Sequence, residues 1–262
     1  MLINFACICI DMRISRFIFI VALIVAGVLT LKIAVHFLGF EFIQLHPMFS
    51  AVTGGVIFII GILFGGTLPD YKESEKIPGE ISVSVKSIYK DMKLSVTDKK
   101  MFASMHQHLK DLVGAMIDNF KNNRWKQREI NAVLDAIDED IMKLSMRGVQ
   151  IGFIARMRNE ITNLERFSNR IETIKETSFM PAANTIAKVV VTIVIGMLIF
   201  TTIEPFYVTL FILAAVSFLL IGLLMLIKDI DDPFEPGDRS VADVDLKLIY
   251  KLEDYLKNHD NK

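Results

Sequence analysis

The stretch from Pro47 to Met92 constrains this chain most. No charged residue occurs between Pro47 and Pro69. At about 1.5 Å of helical rise per residue, that run is long enough to cross a hydrocarbon core roughly 30 Å thick. At Asp70 the sequence turns polar. Ile77, Ile81, Val85 and Ile88 then recur at helical spacing, the mark of an amphipathic helix with one buried face. A single element therefore carries the chain from a membrane span into a water-facing helical domain.

Three further apolar runs of this kind occur, and they organise the rest. Residues 17–40 form a first span, after an N-terminal segment 1–16 that carries Asp11, Arg13 and Arg16. The first ten residues are too short to span, and Met12 could equally be the start. A signal peptide is the competing reading of this region. No small-x-small cleavage site follows, however, and apolar sequence continues through Phe37 and Leu38. Residues 47–69 are the second span, 187–203 the third and 205–227 the fourth. Pro205 suits the first turn of the last helix. The third is short, with Lys188 snorkelling from it. Residues 228–262 form a tail. The expected fold is all-α: a multi-pass membrane protein with four transmembrane helices and a helical domain, 70–186, between the second and third.

Within 70–186, apolar residues keep spacings of three, four or seven. One segment carries Met101, Met105, Leu109, Leu112, Met116 and Phe120. A second carries Ile130, Leu134, Ile137, Ile141 and Leu144, and a third carries Ile161, Leu164, Ile171 and Ile174. There is little β pattern. Trp125 sits among Lys121, Arg124, Lys126 and Arg128 and reads as a solvated helix junction. Asp135, Asp138, Glu139 and Asp140 read as a solvated acidic face.

Orientation follows from the basic residues. Segment 70–186 holds nineteen Lys and Arg, whereas loops 41–46 and 204–206 hold none. The positive-inside rule then places both termini and the helical domain in the cytoplasm. The setting is the cell membrane, or the inner membrane in a Gram-negative bacterium. The formal net charge of −1 implies no nucleic-acid partner. Cys7 and Cys9 lack other ligands at metal-binding spacing, and the five histidines, His46 and His259 among them, are scattered. His106 and His108 stand at i, i+2, which does not share a helix face. No nucleophile elbow, phosphate loop or metal motif is present, so neither an enzyme nor a cofactor is expected.

Two features of the spans concern function. The second span is glycine-rich (Gly54, Gly55, Gly61, Gly65, Gly66), a composition that lets membrane helices approach closely. Lys32 lies near the far edge of the first span. Snorkelling to the headgroups and lining a pore vestibule are both open to it.

The tail carries a motif. Asp231-Asp232-Pro233-Phe234 follows the last span, and about ten residues later comes an amphipathic segment with Leu248, Ile249, Leu252 and Leu256. Such a short helix must dock to be stable. This motif and its following helix, the four-span layout, and the segment Tyr71-Lys72-Glu73 through Ile77-Pro78-Gly79-Glu80-Ile81 together resemble the bestrophins and bestrophin-like proteins. The resemblance implies a pentameric homo-oligomeric channel for small ions, anions by preference, with a neck of apolar residues on the second span. The ladder Val56, Ile60 and Phe64, at i, i+4, i+8, is the candidate neck, with the register Ile57, Gly61, Gly65 as the other choice. The acidic cluster Asp229 to Asp238 is similar to a calcium clasp of animal bestrophins, but its spacing differs and it reads better as a juxtamembrane cap. Pro78-Gly79 is expected to kink or break the helix leaving the second span. A membrane-anchored helical scaffold or sensor that conducts nothing is the alternative to a channel.

Overall fold

The structure is a computed structural model. It describes residues 2–44, 47–176, 181–235 and 240–258, with side chains from Arg13 onward except Met48. The side chains of Cys7 and Cys9, and residues His46, Asp238 and His259, lie outside the described residues. Eight helices and one short parallel strand pair are present among the described residues: α1 (Leu2–Phe37), β1 (Ile43–Gln44), α2 (Pro47–Ser95), α3 (Lys99–Lys121), α4 (Gln127–Met146), α5 (Ile151–Glu176), α6 (Pro181–Ile199), β2 (Thr201–Thr202), α7 (Phe206–Asp231) and α8 (Lys247–Asn258). Four helical stretches are long and apolar enough to cross a membrane. The protein is thus an all-α, four-span membrane protein.

The chain divides into a membrane unit and a helical unit. The membrane unit contains α1, the first half of α2, α6 and α7. Its interior is one apolar cluster, including Val35 of α1, Val56 and Ile60 of α2, Val194 and Leu198 of α6, and Leu213 and Leu220 of α7. Helix α1 stops at Phe37 because Gly39 takes φ +70, the left-handed conformation glycine adopts without penalty. The Gly39 amide donates to His36 O and the Phe40 amide to Val35 O, which satisfies the last carbonyls in a Schellman closure. The following loop forms β1, which pairs with β2 through Ile43–Thr201 and Gln44–Thr202. That pair was not visible in the β-poor sequence, and α6 accordingly ends at Ile199.

The helical unit packs the second half of α2 with α3, α4, α5 and α8. The periodic residues singled out in the sequence meet in one core: Ile81, Val85, Ile88, Met105, Leu109, Leu112, Ile137, Ile141 and Leu164 are all buried. The tail helix α8 docks here against α3 and buries Ile249, Leu252 and Leu256, leaving Leu248 half exposed.

The break expected at Pro78-Gly79 does not occur: α2 is helical from Pro47 to Ser95. A mid-helix proline loses one hydrogen bond and crowds the preceding turn. Here Pro78 is buried between buried Ile77 and Ile81, and Leu248 Cδ1 of α8 lies 3.6 Å from where a Gly79 Cβ would be. Tertiary packing therefore overrides the local preference.

Candidate functional site

Helix α2 has two unlike faces in the membrane unit. Val56, Ile60 and Leu63 are 3%, 0% and 4% exposed, and Thr67 continues their stripe. They belong to the apolar cluster of the unit, and Phe64 packs partly against it. The ladder chosen from sequence, Val56, Ile60 and Phe64, therefore faces the protomer interior. The opposite face is open. Phe58 and Ile62 are 69% and 58% exposed, and Gly54, Gly61, Gly65 and Pro69 lie on the same side. A Cβ added at Gly54, Gly61 or Gly65 would meet nothing within 4 Å. The glycines thus do not bring α2 close to another helix of its own chain. Of the other register, Ile57 sits at the edge of this face, 37% exposed. An i, i+4 rule fixes a ladder but not its rotation. Shifting it by two residues turns it by about 200°, from inside to outside.

Lys32 is fully buried, so it neither snorkels nor faces open space within the protomer. Its Nζ donates to the carbonyls of Ile199 (3.0 Å) and Thr201 (2.6 Å) and lies 2.5 Å from Glu41 Oε1. His36 Nδ1 lies 3.1 Å from Glu41 Oε2, and the His36 ring stacks on Phe206. One ammonium thereby joins α1, the loop after it and the end of α6. Burial pushes the Glu41 carboxyl up, but the hydrogen bonds and charges of Lys32 and His36 outweigh it and hold the group below its ordinary range. In the sequence Glu41 stands out only as the first residue of loop 41–46. The missed signal was an acid placed just beyond the helix that carries an intramembrane lysine, because such lysines need a partner or backbone carbonyls.

The tail motif divides its labour. In the membrane unit, Asp229 Oδ2 accepts from the amides of Val241 (2.6 Å) and Ala242 (3.1 Å), and Asp243 pairs with Arg13 at 3.0 Å. Asp229 acts as a cap on the chain after the last span. In the helical unit, Phe234 is 3% exposed, with its ring 5.5 Å from that of Phe120. Lys175 Nζ reaches the Phe234 carbonyl at 3.5 Å.

Other residues singled out in the helical unit have structural partners. Trp125 packs on Phe120 and donates from Nε1 to Gln127 Oε1. Asp138 forms a two-pronged pair with Arg158. Asp140 departs from the solvated face expected of its run: it is 2% exposed and pairs with His108 and Lys143. His106 points elsewhere, into the rings of Tyr89 and Phe102.

The class these elements define is a four-span membrane protein whose second span continues as a long helix into a helical domain. Known structures share that arrangement. The chain superposes on crystal structures of a bacterial bestrophin homolog from Klebsiella pneumoniae at a TM-score of 0.73 and 14% identity, covering 95% of this chain and 100% of that one. A second structure of a bestrophin homolog from Klebsiella pneumoniae, phased on zinc, gives 0.72 over 94% and 97% of the two chains. A structure described only as a membrane protein gives 0.75 over 92% and 97%. The fold is bestrophin-like. No family model and no curated protein matches the sequence.

Proposed function

We propose that this protein is a bestrophin-like oligomeric ion channel, with the open face of α2 turned to a central axis. The observation that carries this reading is the two-sidedness of α2. A membrane helix meant only to anchor a domain needs one packed face and lipid on the rest. Here the exposed side is a stripe of glycines with Phe58 and Ile62 one turn apart. Copies arranged around an axis would form apolar rings from these two residues, and the glycines would leave room on either side. Rings of this kind gate by excluding water. The neck is accordingly assigned to Phe58 and Ile62, with Gly54 a turn before them, in place of Val56, Ile60 and Phe64. A pentamer and a preference for anions come with the bestrophin likeness. Arg13, Arg16 and Lys228 beside the spans, against no Lys or Arg in loops 41–46 and 204–206, support a cytoplasmic helical domain with both termini on the same side.

The test is ion flux from liposomes that contain the purified protein. Phe58→Ala and Ile62→Ala should widen the neck and raise flux. Ile60→Ala, which empties an interior position, should instead lower thermal stability. Equal flux from protein-containing and empty liposomes, with a monomer in detergent, would refute the channel. The protein would then be a membrane-anchored helical scaffold.

A further inference from the structure

The membrane unit holds a second feature that the pore does not use. Between α1, α6 and α7 runs a groove of about 460 Å3 with an apolar floor that includes Ile24, Ile195, Ile221 and Leu224. No residue of α2 lines it. Lys188 and Lys228 do, and no Asp or Glu does. Helix α6 begins at Pro181 and α7 ends at Asp231, so both lysines stand at the same end of this antiparallel hairpin, the end that joins the helical unit. Both are exposed, and neither ammonium has a partner among the described residues. The nearby acid Asp229 is committed to the amides of Val241 and Ala242.

We propose that this groove is a binding site for one anionic phospholipid per protomer, in the leaflet on the side of the helical domain. An apolar cleft at membrane depth takes acyl chain. Two unpaired ammonium groups at its mouth take the phosphate. Basic pockets between membrane helices recognise anionic lipids in this way. The groove volume is in the range of ligand sites, about 300–1,000 Å3. The proposal needs only the membrane placement of α1, α6 and α7, so it stands or falls separately from ion conduction.

The experiment is native mass spectrometry of the full chain in detergent, with equal phosphatidylglycerol and phosphatidylcholine of matched acyl chains. Wild type should favour phosphatidylglycerol by roughly tenfold or more, as two lysines near an anionic headgroup imply, and should saturate at one lipid per protomer. Lys188→Ala/Lys228→Ala should bind both lipids about equally. Lys90→Ala/Lys93→Ala, which removes the same charge elsewhere, should keep the preference. Gly196 lines the groove and has nothing within 4 Å of an added Cβ. Gly196→Leu should therefore fill the groove without disturbing the core and weaken binding of both lipids. No preference in wild type, a preference kept by the Lys188/Lys228 variant, or full binding by Gly196→Leu would each overturn the proposal. A second protein copy seated in the groove would appear as the first of these results.

Discussion

Replacing Lys32 by Met separates a buried clamp from a snorkelling lysine. Methionine is flexible and apolar, so the variant removes charge with little change of packing. In the structure the change leaves Glu41, whose side chain is 10% exposed, facing His36 without the ammonium and takes the donor from the carbonyls of Ile199 and Thr201. Breaking one side of a buried ion pair costs about 3–5 kcal/mol, whereas an exposed pair is worth about 1 kcal/mol or less. At about 2–4 °C per kcal/mol for a chain of this size, a loss of about 4 kcal/mol lowers the melting temperature by about 8–16 °C. The double variant Lys32→Met/Glu41→Gln removes the stranded charge and should recover most of the loss, because a buried pair is worth little against neutral groups that fit. The assay is thermal unfolding of the purified protein in one detergent. A Lys32→Met melting temperature within roughly 2 °C of wild type would refute the clamp. So would a double variant no better than the single one.

Two smaller predictions concern the helical unit. Gly79→Ala should stabilise α2 by about 0.5–1 kcal/mol, since alanine favours helix over glycine and its Cβ would make ordinary contact with Leu248 at 3.6 Å; an unchanged or lower unfolding temperature would contradict this. Asp98 caps α3 by accepting from the Lys100 amide, and the Arg147 guanidinium, the larger influence, holds its carboxyl below the ordinary range. The resulting stability is present above the ordinary carboxylate pKa of about 3.9 and is lost as pH falls through the lowered value. Arg147→Met should move that acid loss to higher pH, read from melting temperature against pH, and superimposable acid limbs would argue against it.

Most of the fold was legible because the membrane writes in long words. An uncharged run such as Pro47–Pro69 has few alternatives in water or lipid, and the Ile77, Ile81, Val85, Ile88 stripe permits one buried face. What stayed illegible was rotation and partnership. Most residues of a membrane helix are apolar whether they meet lipid, protein or an axis, so hydrophobicity did not separate the buried Val56 and Ile60 from the exposed Phe58 and Ile62. The Lys32–Glu41 contact closes through the end of α6, far away in sequence, as does the pairing of Ile43 with Thr201. Pro78-Gly79 misled for the same reason. Its local cost is visible in the sequence, whereas the packing that offsets it comes from α8.

The open face of α2 also bears on selectivity. Stepping three or four residues from Phe58 and Ile62 leads through Gly65 and Pro69 to Lys72, Lys76 and Glu80, all exposed. If copies of α2 surround an axis, the first charges on this stripe form rings of lysine. A unit charge at about 10 Å in water is worth about 0.4 kcal/mol, so a ring of five attracts an anion by about 2 kcal/mol, roughly a thirtyfold local enrichment of anions. Lys72→Glu/Lys76→Glu should reverse it, and the effect should shrink at high salt, where such fields are screened. Reversal potentials of the variant in a chloride gradient read the outcome directly. A channel that conducts but whose chloride preference ignores both substitutions would show that this stripe does not face the ions. The rotation of α2 assigned from Phe58 and Ile62 would then be wrong along with it, because one helical phase fixes both.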